Sequence, residues 1–267
     1  MKIIKLFFMK FIFKLSFLIG AMFLFSSCFA QQSALGVRGG LSIPNLSAGG
    51  SNQNPLNTGY SSRLGTDFGI FGEFKISNVF SFQPMLEYSS QGGKKDGLQA
   101  FPTPAGFSAF FPPGTAPTYL YANFKSDAKI NYLMVPLLAK FGWNLKPKSP
   151  VRIYVDAGPF LGFLLSAKQV TSGSSMIYTD AGGQNALPGG SQSFDSTQNI
   201  KSQLNTFNFG AEGNVGLIYK TGNGNIFVEG GFNYGFLNIQ KGTANGKNNT
   251  GAATVSLGYA YTFRQKK

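Results

Sequence analysis

Charged side chains inside otherwise apolar segments are the residues with the clearest chemical potential in this chain. In residues 132–165, Lys140, Arg152 and Asp156 interrupt two long apolar runs. Acidic and basic groups in such surroundings either pair with one another or line a path for ions or protons. We favour structural ion pairs, because the sequence marks no single charge as special. The candidate network has eleven members: Arg38, Asp67, Glu73, Lys75, Glu87, Lys140, Arg152, Asp156, Glu212, Lys220 and Glu229.

Catalytic, metal-binding and nucleic-acid-binding patterns are poor in this chain. It contains no His, which excludes the Ser–His–acid arrangement of many hydrolases. No loop has the pattern of an EF-hand, and no glycine-rich segment opens a helix to hold a phosphate. The 23 basic residues are scattered and do not form a run with aromatic residues. The sequence therefore predicts no enzymatic activity, no cofactor, no metal site and no nucleic-acid partner.

The first 30 residues have the pattern of an export signal. Four lysines precede the uncharged stretch "LSFLIGAMFLF", and "SSCFA" follows it. A basic start, a short apolar core and a small residue at the cleavage point are typical of a secretory signal peptide. We therefore predict a signal peptide at 1–30, cut after Ala30, and a mature domain at 31–267. An alternative is a lipid anchor on Cys28; after a cut at Ala30, the mature chain has no Cys and no disulfide.

The strands that would position the charged residues are indicated by alternation. In residues 64–76, Phe68 and Ile70 fall on one face of an extended chain, and Asp67 falls on the other. The same period of two predicts eight strands, at 33–42, 64–76, 79–91, 127–142, 150–167, 202–220, 225–239 and 251–264. Most reach the roughly 9 to 11 residues that a tilted strand needs to cross a membrane.

The connections between these strands alternate strictly between short and long. Short links, "SN", "NLKPKS" and "TGNG", alternate with long ones at 43–63, 92–126, 168–201 and 240–250. Outer-membrane barrels have short periplasmic turns and longer external loops, and a closed sheet leaves no backbone group unpaired in lipid. The sequence therefore predicts an all-β, eight-stranded, antiparallel up-and-down transmembrane β-barrel.

The two faces of the predicted strands have different roles. A barrel of eight strands has an interior just wide enough for side chains to fill it. The eleven charged positions fall on the inward face, where they would plug the lumen. Trp, Tyr and Phe favour the lipid–water interface, and an aromatic girdle is predicted near the periplasmic ends of the strands: Phe80, Phe141, Trp143, Tyr219, Tyr261 and Phe263.

Several segments resemble one family of barrels. The runs "YLMVPLLAKFG", "YVDAGPFLGFLLSAK", "FNFGAEGNVGLIY" and "VEGGFNYGFLNI" are similar to the PorT-like outer-membrane β-barrel family of Bacteroidetes-type bacteria. The opening "LGVRGGLSIPNLS" resembles the first strand of that family. Two positions depart from the family pattern: members often carry an acidic residue where Met134 stands, and their arginine before the tyrosine of strand 7 is replaced in "FNY".

The resemblance implies a place in the cell outer membrane, contact with its lipid, and a link to protein secretion of the type IX kind. We expect a structural or protein-interaction role without an open pore, with other envelope or secretion proteins as partners. The alternative is a narrow channel or a transporter of small solutes in the outer membrane. The long loops at 92–126 and 168–201 have no assigned role at this stage.

Overall fold

A computed structural model describes residues 33–48, 54–242 and 245–263 of the chain. The predicted signal peptide, Cys28 and the cut after Ala30 lie outside the described residues. Among the described residues, no helix is long and apolar enough to span a membrane. This part of the chain contains eight long strands: β1 Ser33–Ala48, β2 Gly65–Lys75, β3 Phe80–Pro102, β4 Tyr119–Asn144, β5 Val151–Ser172, β6 Phe207–Thr221, β7 Gly224–Gly235 and β8 Asn248–Thr262.

The eight strands form a closed antiparallel ring. Each strand pairs with its neighbours in the chain, and β1 pairs with β8 to close the ring. The closing register runs from Ala34 opposite Thr262 to Ala48 opposite Asn248. The predicted fold class is therefore confirmed.

Alternation along each strand separates the lumen from the outer surface. On β8, Ser256 and Ala260 are each 3% exposed, whereas Leu257 between them is 63% exposed. Such exposed leucines are expected where the solvent is lipid, because the apolar face of a membrane barrel points outward. The period of two read from the sequence thus assigns the faces correctly.

The outward face carries an apolar band of limited height. On β4 the band consists of Leu133, Val135, Leu137, Ala139, Phe141 and Trp143. At a rise of about 3.3 Å per residue, this stretch is about 33 Å long, which a tilt of about 40° reduces to the height of a bilayer core. Beyond Leu133, and beyond its partner Tyr88 on β3, the outward positions of β4 become polar, with Asn131, Lys129, Asp127 and Lys125.

The predicted loop 92–126 is wrong over most of its length. Strands β3 and β4 continue to Pro102 and from Tyr119, so the true connection is 103–118, with a 3₁₀ helix at Ala105–Phe110. The segment lacks the alternation of a half-buried strand because both of its faces lie outside the apolar band. Gly92, with φ of 114°, marks the start of the extension.

Other strand ends differ from prediction by several residues. The strand predicted at 33–42 continues to Ala48, and the one predicted at 150–167 continues to Ser172. The strand predicted at 202–220 begins only at Phe207, and the one predicted at 225–239 ends at Gly235. In these places Gly, Asn and Ser obscure the alternation on which the boundaries depend.

The extended hairpin and the segment after β5 form a folded outer tier, defined here as residues 89–132 and 168–206. Ser196–Asn199 pairs with β5, and Ile177–Tyr178 pairs with the start of β4. A small apolar cluster holds the tier together, with Leu120, Ile177 and Leu187 buried in it and Phe101, Phe107, Phe111 and Phe194 packed against them. The segments 92–126 and 168–201 thus build one structure on top of the barrel.

Candidate functional site: the charged lumen

Arg38 lies at the centre of a buried group of carboxyls. Its Nη1 donates to Glu229 Oε1 at 2.7 Å, and its Nη2 donates to Glu87 Oε2 at 2.8 Å and to Glu212 Oε1 at 3.0 Å. Asp67 Oδ1 lies 3.6 Å from Nη2. All five side chains are at most 4% exposed. One guanidinium therefore joins carboxyls from four different strands, which fixes the strands relative to one another.

Asp156 joins this group through an amide. Asn214 Nδ2 donates to Asp156 Oδ1 at 2.8 Å and to Glu212 Oε1 at 3.1 Å. In the part of the chain that the structure describes, five buried carboxyl groups and one basic group, Arg38, lie at this level of the lumen, and four of the carboxyls lie within 4.0 Å of Arg38. We refer to Arg38, Asp67, Glu87, Asp156, Asn214, Glu212 and Glu229 as the acidic layer.

Lys140 forms a second group closer to the short turns. Its Nζ lies 3.2 Å from Glu73 Oε2 and 2.9 Å from Gln83 Oε1, and it stands 4.2 Å from the centre of the Tyr154 ring. Tyr154 donates its hydroxyl hydrogen to Glu229, which connects this group with the acidic layer. Desolvated ammonium groups gain from aromatic faces. We call Lys140, Phe71, Tyr154 and Phe227 the aromatic layer.

The remaining members of the candidate network lie at the mouth of the barrel. Lys75, Arg152 and Lys220 line a cavity of about 290 Å³ at the end where the short turns are, and we call it the short-turn cavity. Lys140 and Glu73 form part of the same lining. The structure therefore divides the eleven sequence-predicted residues into three sets: the acidic layer, the Lys140–Glu73 pair and the mouth.

Sequence reasoning missed three residues that complete these sets. Gln83, Tyr154 and Asn214 all face the lumen and hold charged partners. Their signal was present, because each lies at an inward position of its strand. Gln83 and Asn214 are uncharged, so the charge pattern alone does not mark them, whereas their polar side chains at inward positions do.

Four inward glycines are covered by aromatic rings, each from the residue directly opposite on the neighbouring strand. The pairs are Gly36 with Phe71, Gly216 with Tyr154, Gly258 with Phe227, and Gly210 with Phe160. A Cβ added at any of these glycines would lie at most 2.5 Å from a ring carbon of the partner. The narrow lumen accommodates large rings because the opposite residue has no side chain.

Apolar side chains close the lumen on the far side of the acidic layer. Ile130, Tyr132, Met134, Phe160 and Leu164 are buried there in one cluster. Above this cluster lies an outer cavity of about 490 Å³, lined by residues of the outer tier and by Leu46, Leu56, Tyr60, Gln240 and Asn245. Strand β5 shows the order of the layers, since its inward residues pass from the mouth to the outer tier as Arg152, Tyr154, Asp156, Phe160 and Leu164.

The predicted girdle residues lie at the short-turn end of the barrel and point outward. Trp143, Tyr219 and Phe263 are 48%, 53% and 49% exposed. Phe80 contacts Phe141 across β3 and β4, with ring centres 5.0 Å apart. Tyr261 contacts Phe263 at 5.4 Å.

The pKa values of Lys95 and Asp180, both outside the apolar band, are shifted in the folded protein. Burial lowers the pKa of the Lys95 ammonium to about 8, where the group donates to Leu56 O at 2.9 Å and stands 4.5 Å above the Tyr60 ring. Backbone N–H groups of Asn185, Gln184 and Gly182 donate to Asp180 and lower the pKa of that carboxyl. Asp180 therefore holds its turn in the outer tier in the charged form.

The match to a family model agrees with the barrel architecture. A family model described as "Outer membrane protein beta-barrel domain" matches residues 29–241. Among solved structures, Neisserial surface protein A is similar at 18% identity and a TM-score of 0.38, over 86% of this chain and 99% of that one. OprG of Pseudomonas aeruginosa is similar at 12% identity and a TM-score of 0.38, over 88% of this chain and 98% of that one. Ail of Yersinia pestis is similar at 12% identity and a TM-score of 0.36, over 87% of this chain and 99% of that one. No curated protein sequence matches the chain.

Proposed function

The chain belongs to the outer membrane protein beta-barrel domain family, and from this premise we propose that it is a closed barrel with a structural or protein-interaction role. Membership of the family indicates a place in the outer membrane, with the apolar band in contact with lipid. The PorT-like subgroup, the link to secretion, the export signal and the absence of catalysis belong to the proposal.

The filled lumen supports the absence of an open pore. An ion that entered from the short turns would meet the basic mouth, then the aromatic layer, the acidic layer and finally the apolar cluster. Cations are repelled by the basic mouth and anions by the acidic layer. Both kinds of ion then meet apolar side chains, which cannot replace their hydration shell. The same packing leaves no space for a large substrate between the buried carboxyls.

The outer tier is the observation that carries the interaction role. Its own apolar cluster and strand pairings make it a folded platform above the apolar band. At its tip, Phe110 is 52% exposed on the 3₁₀ helix of the β3–β4 connection. An exposed aromatic residue on a preorganised surface is a suitable anchor for a protein partner.

Crosslinking in intact cells tests the interaction role. A photoreactive phenylalanine analogue placed at Phe110 is expected to capture one reproducible protein, identified by mass spectrometry. The same analogue at Val215, which lies in the apolar band, is the matched control and should capture no protein at that mass. Capture of no protein from Phe110, in cells where the barrel is assembled, would contradict the role of the tip.

A narrower proposal concerns secretion of the type IX kind. It is supported by the resemblance of four strand segments to PorT-like barrels. Met134, which lies directly opposite Glu87, departs from the pattern of that family and counts against close kinship with its secretion component. A carboxyl at position 134 would add a further negative charge opposite Glu87, in a lumen that is already rich in acids. Met134 avoids that repulsion. Deletion of the protein should reduce the amount of type IX cargo outside the cell; unchanged export would remove this narrower proposal and leave the barrel itself untouched.

The export signal is tested by the mature N-terminus. Sequencing of the protein purified from membranes is expected to begin at Gln31, directly after Ala30. A blocked N-terminus at Cys28 carrying acyl chains would instead show the lipid anchor.

A further inference from the structure

The short-turn cavity has the properties of a binding site for an anion. We propose that it binds a small soluble molecule through a phosphate group, a function that a structural or interaction role does not require. The cavity measures about 290 Å³ and lies inside the ring of strands, at the end opposite the outer tier. A ligand would therefore reach it from the aqueous side of the short turns.

Basic side chains outnumber acidic ones around this cavity. Lys75, Lys140, Arg152 and Lys220 line it, and Glu73 is the acidic residue among the described lining residues. Lys140 already engages Glu73 at 3.2 Å. Within the described parts of the chain, no carboxylate oxygen lies within 4.0 Å of Arg152 or Lys220.

These cations repel one another. Both Arg152 and Lys75 act electrostatically against the Lys220 ammonium. An anion bound between them would replace that repulsion by attraction, and the low-dielectric walls of the barrel concentrate the field in the mouth. The arrangement thus costs energy when it is empty and is stabilised when a counter-anion is present.

Neutral acceptors orient the two principal cations. Arg152 donates from Nη2 to Asn78 O at 2.9 Å and to Gly142 O at 2.8 Å, and Lys220 donates from Nζ to Asn144 Oδ1 at 3.0 Å. These acceptors hold the groups in place without cancelling their charge. A Cβ at Gly142 would lie 2.5 Å from Arg152 Nε, so the glycine provides the space that the guanidinium occupies.

The cavity ends at the aromatic layer. Lys140 and Tyr154 form its floor, and Tyr154 is bound on its far side to Glu229 of the acidic layer. An anion is therefore attracted into the mouth and stopped before the carboxyls, which is the behaviour of a binding site.

The donor set favours phosphate over other anions. A planar guanidinium matches two oxygens of a phosphate, and the mobile ammonium groups bind the remaining oxygens as point charges. The cavity has room for a phosphate monoester with a small organic group. Phospholipid headgroups carry the same chemistry, but they lie outside the ring of strands.

Titration with inorganic phosphate tests the site. Isothermal titration calorimetry on the full mature barrel, in zwitterionic nanodiscs at low salt, is expected to show saturable binding. The double variant Arg152→Gln/Lys220→Gln should weaken it by at least about tenfold, because two charge-assisted interactions are lost. Lys220→Gln alone should weaken it less, and heat-modifiable gel migration verifies that each variant is folded.

The matched control removes two charges elsewhere. Lys125→Gln/Lys129→Gln changes the net charge by the same amount on the outer tier and should leave phosphate binding unchanged. Absence of binding to the wild type, or equal loss in this control, would overturn the site. Nanodiscs containing phosphatidylglycerol separate the two sources of phosphate: unchanged binding supports a soluble ligand, whereas competition by the lipid refutes it.

Discussion

At the scale of single residues, Arg38 has the most demanding environment in the molecule. Removal of one partner of a buried charge pair leaves the other groups desolvated and uncompensated. Here three carboxylates accept hydrogen bonds from the same guanidinium, and a fourth lies 3.6 Å away. Arg38 therefore matters more for stability than an exposed arginine.

The variant Arg38→Met is expected to lower the free energy of unfolding by about 3 to 5 kcal/mol. Methionine has a similar length, so the loss arises from the charge and its hydrogen bonds. Urea unfolding of the barrel in lipid vesicles, followed by gel migration without heating, measures the change. The control is Lys125→Gln. Lys125 and Asp96 form an ion pair of 3.8 Å, and both side chains are exposed. Its loss should lower the free energy of unfolding by less than about 1 kcal/mol. Equal losses in the two variants would contradict the central role of Arg38.

The lowered pKa of Lys95 predicts that the stability of the outer tier depends on pH. Its folded pKa is about 8, below the ordinary value of 10.5, because burial disfavours the charged ammonium. Between these two values the unfolded chain binds more protons than the folded one, so stability rises with pH. Burial also raises the pKa of the neighbouring Tyr60, which moves the ionisation of its phenol to higher pH.

The urea midpoint should therefore increase from about pH 7.5 to about pH 9.5, and the increase should be smaller in Lys95→Met. A midpoint that rises equally in the variant would assign the effect to another group.

At the scale of the strands, the sequence was informative wherever one face meets lipid and the other meets the lumen. Lys140, Arg152 and Asp156 interrupt apolar runs because they occupy the inward half of the alternation, and this can be read without a structure. Alternation assigns a face but not a partner, so it could not predict that Arg38 binds Glu229, 191 residues away in the chain. It also fails in the outer tier, where Lys94, Lys95 and Asp96 continue β3 without an apolar face.

The pairing of glycines with aromatic rings predicts an effect of one methyl group. Gly36→Ala places a Cβ 2.3 Å from the Phe71 ring and is expected to cost about 1 to 3 kcal/mol. Gly39→Ala lies on the outward face of the same strand, meets nothing within 4 Å, and should be nearly neutral. Combining Gly36→Ala with Phe71→Leu should recover part of the loss, since contacting residues couple. Strictly additive losses would show that the ring does not cover the glycine.

The apolar band predicts that the cost of an introduced charge depends on its height in the membrane. Leu257→Arg puts a charge in the middle of the band and should reduce stability by about 2 to 4 kcal/mol in a bilayer. Asn123→Arg, on the outward face of β4 beyond the band, should change it by less than about 1 kcal/mol. The free energies of unfolding of both variants are measured in the same lipid vesicles. A similar loss at the two positions would show that the membrane surrounds a different part of the barrel.

At the scale of the whole molecule, the lumen is a stack of chemically distinct layers along one axis. Basic residues form the mouth, aromatic rings and Lys140 follow, then come the acidic layer and the apolar cluster below the outer tier. The polar centre is enclosed between two layers of packed side chains. The two cavities, of about 290 Å³ and about 490 Å³, thus lie at opposite ends of the described barrel, with the acidic layer and the apolar cluster between them.

This stack favours the closed barrel that we propose over the narrow channel. Purified protein added to planar lipid bilayers is expected to give no steady current, because an ion would have to cross the apolar cluster around Phe160 and Leu164 without its hydration shell. A known porin added to the same membrane verifies that conductance is detectable, and protection of the reconstituted barrel from protease verifies insertion. A steady current that Glu212→Gln abolishes would show that ions pass through the acidic layer. The carboxyls around Arg38 would then line a path for ions. The buried charges would serve conduction, and the interpretation as purely structural ion pairs would be wrong.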